Sequence, residues 1–217
     1  MADFVVDTES APGSPAASQL NIFPETKTTA TGALDRLAVK ESGGKVLTIP
    51  PISNASTAAQ AYTTAEIYLT GSALLVPAHG LQVGTIFRWK YWASKTAGTG
   101  APVWKIYKGT LGTTGDTVVL TITQVSAPTS AADECCVTIE AVMRSVGSGT
   151  AAVMAAGLQM NHVLAITGFS QLGSNTQQVT SGGFDSTTAN MIVGLSVNYS
   201  TAGAGNIDLV TAEMVGV

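Results

Sequence analysis

Two histidines, two adjacent cysteines, a scatter of carboxylates and three tryptophans are the residues of this chain with the means to do chemistry. His79 sits in a Pro-Ala-His-Gly turn and His162 closes an apolar run. A metal centre needs three or four ligands at suitable spacing, so two histidines far apart in sequence predict ordinary structural roles. Cys135 and Cys136 are neighbours. In a strand they point to opposite faces, and a mutual disulfide would require a strained ring. They read as two reduced, half-buried small hydrophobes in a chain made in a reducing cytosol. Ser42-Gly-Gly-Lys45 matches S-x-x-K, but that pattern acts from a helix beside companion motifs this chain lacks. Gly147-Ser-Gly-Thr150 is not the G-x-S-x-G of a nucleophile elbow, and no glycine-rich loop precedes a Lys-Ser/Thr pair. Asp133, Glu134, Asp185 and Asp208 are acids of the type a glycosidase pairs. With aromatics at only 6%, they read instead as solvated loop acids. The expectation is a protein that is not an enzyme, with no cofactor and no metal. Of the tryptophans, Trp89 shares a strand face with Phe87 and Tyr91 and reads as core. Trp92 and Trp104 are the candidates for surface recognition of a sugar.

The elements that carry these residues are strands. Phe87, Trp89 and Tyr91 alternate with Arg88 and Lys90, which describes a ribbon with one face in a core and one in water. The same grammar recurs at Glu66–Thr70, Ala73–Val76, Thr85–Ala93, Val103–Lys108, Thr117–Val125, Cys136–Ser145, Val163–Gly168, Met191–Ser200 and Ile207–Met214. Turns rich in Gly, Ser, Asn and Thr separate these runs. Ala151–His162 (AAVMAAGLQMNH) fits a strand, but its Ala, Met and Leu equally favour a helix. A series of short strands at this spacing predicts an all-β fold, an antiparallel jelly-roll-like β-sandwich over residues 62–217.

Composition agrees. Hydrophobic residues make up 45% of the 217 positions and charged residues only 11%, with the missing polarity supplied by Thr, Ser, Asn, Gln and 23 glycines. Long solvated helices would need more Lys, Glu and Arg. The mean hydropathy of +0.30 is high for a soluble monomer and predicts a surface covered by copies of the chain or by a larger assembly. Ten scattered basic residues against a net charge of −4 argue against direct binding of nucleic acid. No apolar run reaches the ~18 residues of a membrane span, and no secretory signal is expected at the start.

Residues 1–61 read differently, as an extended N-terminal arm. Ser10–Ser18 (SAPGSPAAS) is a linker with no means of building a core. Gln19–Pro24 is a short apolar patch. Leu34–Val39, the turn Lys40–Gly44 and Lys45–Ile49 predict a small hairpin closed by Pro50-Pro51, and Ser53–Gln60 reads as a second linker. A hairpin alone is marginal in water, so Phe4, Leu20, Ile22, Phe23, Leu34, Leu37 and Val39 are expected to touch a partner or another subunit.

The run Leu74-Leu-Val-Pro-Ala-His-Gly-Leu-Gln-Val-Gly-Thr-Ile-Phe-Arg-Trp89 resembles a recurring opening in structural proteins of tailed bacteriophages. Met191-Ile-Val-Gly-Leu-Ser-Val-Asn-Tyr-Ser200, with Ala204-Gly-Asn-Ile-Asp-Leu-Val210 after it, is similar to the last hairpin of those jelly-roll proteins. Gly32–Lys45 is similar to short segments by which they attach to the virion. The resemblance implies a virion component assembled in the host cytoplasm. Such components are commonly trimeric, and they decorate or cement the capsid or form part of a head fibre or tail. The partners it implies are the chain's own copies and the major capsid protein or other virion proteins, with host surface glycan as the alternative. It implies no catalytic residue.

Overall fold

The computed structural model describes residues 20–29, 32–41, 46–49, 52–76, 81–172 and 174–216. Phe4, the Ser10–Ser18 linker, the S-x-x-K run Ser42–Lys45 and His79 lie outside them. The chain divides into one unit up to Pro51 and a second from Ile52 to Gly216.

The first unit is a three-stranded antiparallel sheet of β1 (Leu20–Thr29), β2 (Gly32–Glu41) and β3 (Val46–Ile49), in the order β1-β2-β3. The expected hairpin is its β2–β3 half. Leu20–Pro24 of the apolar patch opens a third strand. Periodicity missed that strand because Glu25–Thr29 is polar throughout.

The second unit is all-β, with no helix among its described residues, and consists of two antiparallel sheets packed as a sandwich. Its strands are β4 (Ile52–Ala55), β5 (Gln60–Tyr62), β6 (Ile67–Tyr68), β7 (Leu74–Leu75), β8 (Ile86–Gly98), β9 (Pro102–Gly109) and β10 (Thr117–Thr123). They continue with β11 (Asp133–Ser145), β12 (Val153–His162), β13 (Ser174–Thr180), β14 (Ile192–Tyr199) and β15 (Gly203–Val215). The larger sheet runs β13-β12-β11-β8-β15-β4 with β5 also on β15; the smaller runs β10-β9-β14-β6 with β7 also on β14. Two expectations change and one open alternative closes. Ser53–Gln60 is not a linker, since β4 and the start of β5 pair with β15. Val163–Gly168 is not a strand but a bent loop. Ala151–His162 resolves as strand β12, because its small and apolar residues lie between β11 and β13.

Alternation places the core. In β8, Phe87, Trp89, Tyr91 and Ala93 are buried while Arg88, Lys90 and Trp92 face out; in β11, Val137, Ile139, Ala141 and Met143 are fully buried. Strand β14 departs from the expected pattern, because Gly194 and Ser196 on its second face are buried as well. A Cβ on Gly194 would meet the Tyr68 hydroxyl at 1.8 Å, so the Tyr68 side chain lies across that face. Among the described residues the Tyr68 hydroxyl has no hydrogen-bond partner there, but the polar tips of the fully buried aromatics are paired, as desolvation demands. Trp89 Nε1 donates to the Ser72 carbonyl at 2.8 Å, Trp104 Nε1 donates to the Tyr91 hydroxyl, and the hydroxyls of Tyr62 and Tyr199 share a hydrogen bond beneath rings stacked 4.6 Å apart.

Where β15 passes β8 the register slips between Ala204 and Gly205. A Cβ on Gly205 would lie 2.1 Å from the Ser94 carbonyl oxygen, a backbone atom that cannot swing aside. Gly205→Ala is therefore expected to cost about 1–3 kcal/mol through overpacking. In urea denaturation the midpoint should fall with an unchanged slope.

Candidate functional site

Strand β11 starts at Asp133, where the loop of residues 124–132 enters the larger sheet, and β12 ends at His162 opposite Cys135. That register brings the two side chains together: His162 Nδ1 lies 2.8 Å from Asp133 Oδ2, and both side chains are withdrawn from solvent. His162 Nε2 lies 2.6 Å from the Leu172 carbonyl, so both ring nitrogens face acceptors. Asp133 Oδ1 accepts the backbone N–H of Glu134 at 2.9 Å and of Leu164 at 3.1 Å, and Oδ2 accepts that of Phe169 at 3.0 Å. Gly168 fits against this carboxylate only because it lacks a side chain. Its φ is +76°, and a Cβ there would lie 2.3 Å from Asp133 Oδ2.

Lys95 on β8 sits opposite Asp133 and is buried. Its ammonium donates to the carbonyls of Thr129 and Ala131. Burial pushes the Lys95 pKa down, against the pull of the Asp133 charge. Further bonds join the loop of residues 124–132 to that of residues 163–172. Thr129 and Gly168 exchange two, Gln171 N donates to Ser126 Oγ at 3.1 Å, and Gln124 Nε2 donates to the Phe169 carbonyl. Cys135, His162 and Asp133 are residue types of a nucleophile, base and acid, but both His162 nitrogens are engaged and burial pushes the Cys135 thiol well up. What this arrangement does is hold two loops rigid at one end of the sandwich.

The sequence-predicted surface residues divide. Trp104 is 1% exposed, so its expected role in surface recognition is corrected: in β9 it falls on the core face, where its ring N–H has a partner. Trp92 is 38% exposed on the outer face of the larger sheet, with Lys90 Nζ 4.5 Å from its ring centroid. The same face carries a groove of about 770 Å³ lined by Asn54, Arg88, Lys90, Thr138, Thr211 and Glu213. Across it Arg88 pairs with Glu140 at 2.6 Å and Glu213 at 3.3 Å. Both cysteines are free; Cys136 is half-buried as expected, whereas Cys135 is fully buried. Asp185 bonds its own loop at Thr187 rather than a second acid. Leu20, Ile22 and Phe23 lie in β1, and Leu34, Leu37 and Val39 in β2. The backbone register sets Ile22 opposite Val39 and Val39 opposite Leu47, and likewise Pro24 opposite Leu37 and Leu37 opposite Ile49.

One cluster carried no sequence signal. Glu66 accepts from Tyr107 at 2.6 Å and from Ser196, and pairs with Lys105. Burial raises its pKa, but the hydrogen bonds from Lys105, Ser196 and Tyr107 outweigh it and hold the carboxyl below its ordinary value. Burial, then Glu66, pushes Tyr107 up to about 12. The four residues come from two strands, β9 and β14, and the approach to β6, so no local motif announces them.

No family model matches this chain, and no curated protein matches it. Among the described residues no group of three His, Cys, Asp or Glu side chains is placed to hold a metal ion, and no helix is long and apolar enough to cross a membrane.

Asp133→Ala strands three backbone N–H groups and an enclosed imidazole. It should cost about 3–5 kcal/mol and speed hydrogen exchange across residues 163–172. Glu66 titrates lower in the folded chain than in the unfolded one, so its stabilisation is complete above the ordinary carboxylate value and fades as pH falls through the folded value. Between about pH 5 and pH 3, Glu66→Gln should therefore lose less stability than the parent chain, measured as melting temperature against pH.

Proposed function

We propose that this chain is a structural protein of a tailed-bacteriophage particle, a capsid decoration or cement protein. In this reading the segment up to Pro51 anchors to the major capsid protein, and the sandwich self-associates around a threefold axis to brace the shell against internal DNA pressure. The observation that carries the reading is the joining of two unlike parts: a three-stranded sheet whose register lines apolar positions into two rows, and a separate sandwich with its own core. Rows of apolar positions on a small sheet favour cover by a partner. An anchoring partner would supply that cover. The resemblance of the Leu74–Trp89 and Met191–Val210 runs to phage structural proteins supports the same reading, as do the low charge and high mean hydropathy.

A second reading, recognition of host glycan by a head-fibre or tail protein, is favoured by one observation. The exposed Trp92 and the groove beside Arg88 and Lys90 share one sheet face. Aromatic faces and fixed polar groups are what sugar rings bind.

Removing residues 1–51 should abolish co-sedimentation with particles and leave the sandwich folded by circular dichroism. Retained particle binding would count against the anchor. On a glycan array the second reading expects Trp92→Ala to weaken binding at least about tenfold, a loss of ~1.4 kcal/mol.

A further inference from the structure

The outer face of the larger sheet holds a second hollow, of about 360 Å³, on the far side of Trp92 from the Arg88 groove. Its wall includes Trp92, Glu134, Cys136, Asn161, Val163 and Asp208. The register sets these side by side. Cys136 lies opposite Trp92 on one flank and Asn161 on the other, and Glu134 is two residues back along β11 on the same face. The Val163 N–H closes that end by donating to the Glu134 carbonyl at 3.0 Å. Asp208 arrives through a bulge. Ile207 pairs with Ala93 and Leu209 with Trp92, so Asp208 is an extra residue; it and Leu209 are both exposed where alternation would turn one of them inward. Bulges re-aim side chains in this way, often beside functional sites. Lys90, whose ammonium lies over the indole, stands in the row on the opposite side of Trp92 and lines the Arg88 groove instead.

We infer that this hollow seats a single sugar ring that carries no acidic group. The inference deepens the glycan reading above and rests on it, naming the seat and the class of sugar. Each part of the wall matches a different part of such a ring. An indole face offers dispersion to the C–H face of a pyranose. Carboxylates only accept hydrogen bonds and so call for hydroxyl donors, while the Asn161 amide both donates and accepts. Among the described residues no ion pair takes up Glu134 or Asp208, which leaves both carboxylates open to a ligand. Of the described residues that line the hollow none is a lysine or arginine, so it repels a uronic acid, a sialic acid or a phosphorylated sugar. A simple organic cation fits less well, because ammonium cages enclose their guest with several aromatic rings and here one ring stands. The volume lies at the small end for ligand pockets, which suits one ring rather than a chain.

The test applies the full chain to an array of neutral, amino and acidic oligosaccharides, beside the variants Asp208→Ala, Asn161→Ala and Arg88→Ala and the control Leu111→Ala on the smaller sheet's side. The expected result is binding to neutral or amino sugars. Asp208→Ala and Asn161→Ala should each weaken it at least about tenfold, and Leu111→Ala should leave it unchanged. Binding that survives both hollow variants but is lost in Arg88→Ala overturns the inference and leaves the glycan reading standing, with the sugar in the other groove. A preference for acidic sugars overturns it as well. Binding to no sugar at all removes the glycan reading and this inference together. Should a variant disturb folding, the unaltered chain decides. Trp89 and Trp104 are buried, so acrylamide quenching of its fluorescence reports chiefly Trp92. The neutral oligosaccharide that binds best on the array should shield that ring, and quenching unchanged at saturation overturns the proposal.

Discussion

Hydrogen bonds between aromatic side chains pin the two sheets to each other, and the rest of the sandwich depends on them. Tyr91 comes from β8 in the larger sheet and Trp104 from β9 in the smaller; Tyr62 and Tyr199 likewise come one from each sheet. Apolar packing alone tolerates small slips of one sheet over another, because dispersion contacts have little direction. A buried hydroxyl or indole N–H does not, since losing its partner costs the full desolvation penalty. Burial pushes the Tyr62 and Tyr91 hydroxyls far up, so they remain neutral at any ordinary pH. The core is thereby held to one registration of its sheets.

That registration has consequences at the loop end. Lys95 and Asp133 are cross-strand neighbours only because β8 and β11 pair in this register, and His162 reaches Asp133 only because β12 is aligned with β11. All three are buried polar groups, individually costly and collectively satisfied. Their return is positional: they orient main chain that would otherwise wander. Two uncharged loops with exposed Val, Ile and Leu become a defined surface.

How far the sequence foretold this depends on whether the signal was local. Strict alternation in Ile86–Ala93 and Val137–Met143 made those strands legible, because each has one wet face. Strand β13, Ser-Asn-Thr-Gln-Gln-Val-Thr, was not, since an edge strand of polar residues has no apolar period to read. The loop Val163–Gly168 reads as a strand because Val163 and Ile166 are β-branched, yet long-range bonds to Asp133 and Thr129 bend it, and no propensity encodes those. Trp104 misled for a related reason. As a tryptophan it was a candidate for sugar binding, but in β9, paired with Val197 of β14, it falls on the buried face. The ligands of Asp133 and the Glu66 cluster are assembled from residues tens of positions apart, so only the folded register exposes them.

An interior packed to this degree and a surface carrying so little charge make different demands on the chain. A monomer with 11% charged residues has few groups to keep it from its own kind. The exposed polar residues Thr, Ser, Gln and Asn hydrate the sheet faces without repelling a copy, while ion pairs are confined to places such as the Arg88 groove, where Glu140 and Glu213 already neutralise the guanidinium. Surfaces of that kind leave few charges that a partner must match in sign. In the absence of repulsion, specificity has to come from shape. The loop end around Asp133 has such a fixed shape, and the outer face of the larger sheet has the groove beside Arg88, whose charge is already neutralised.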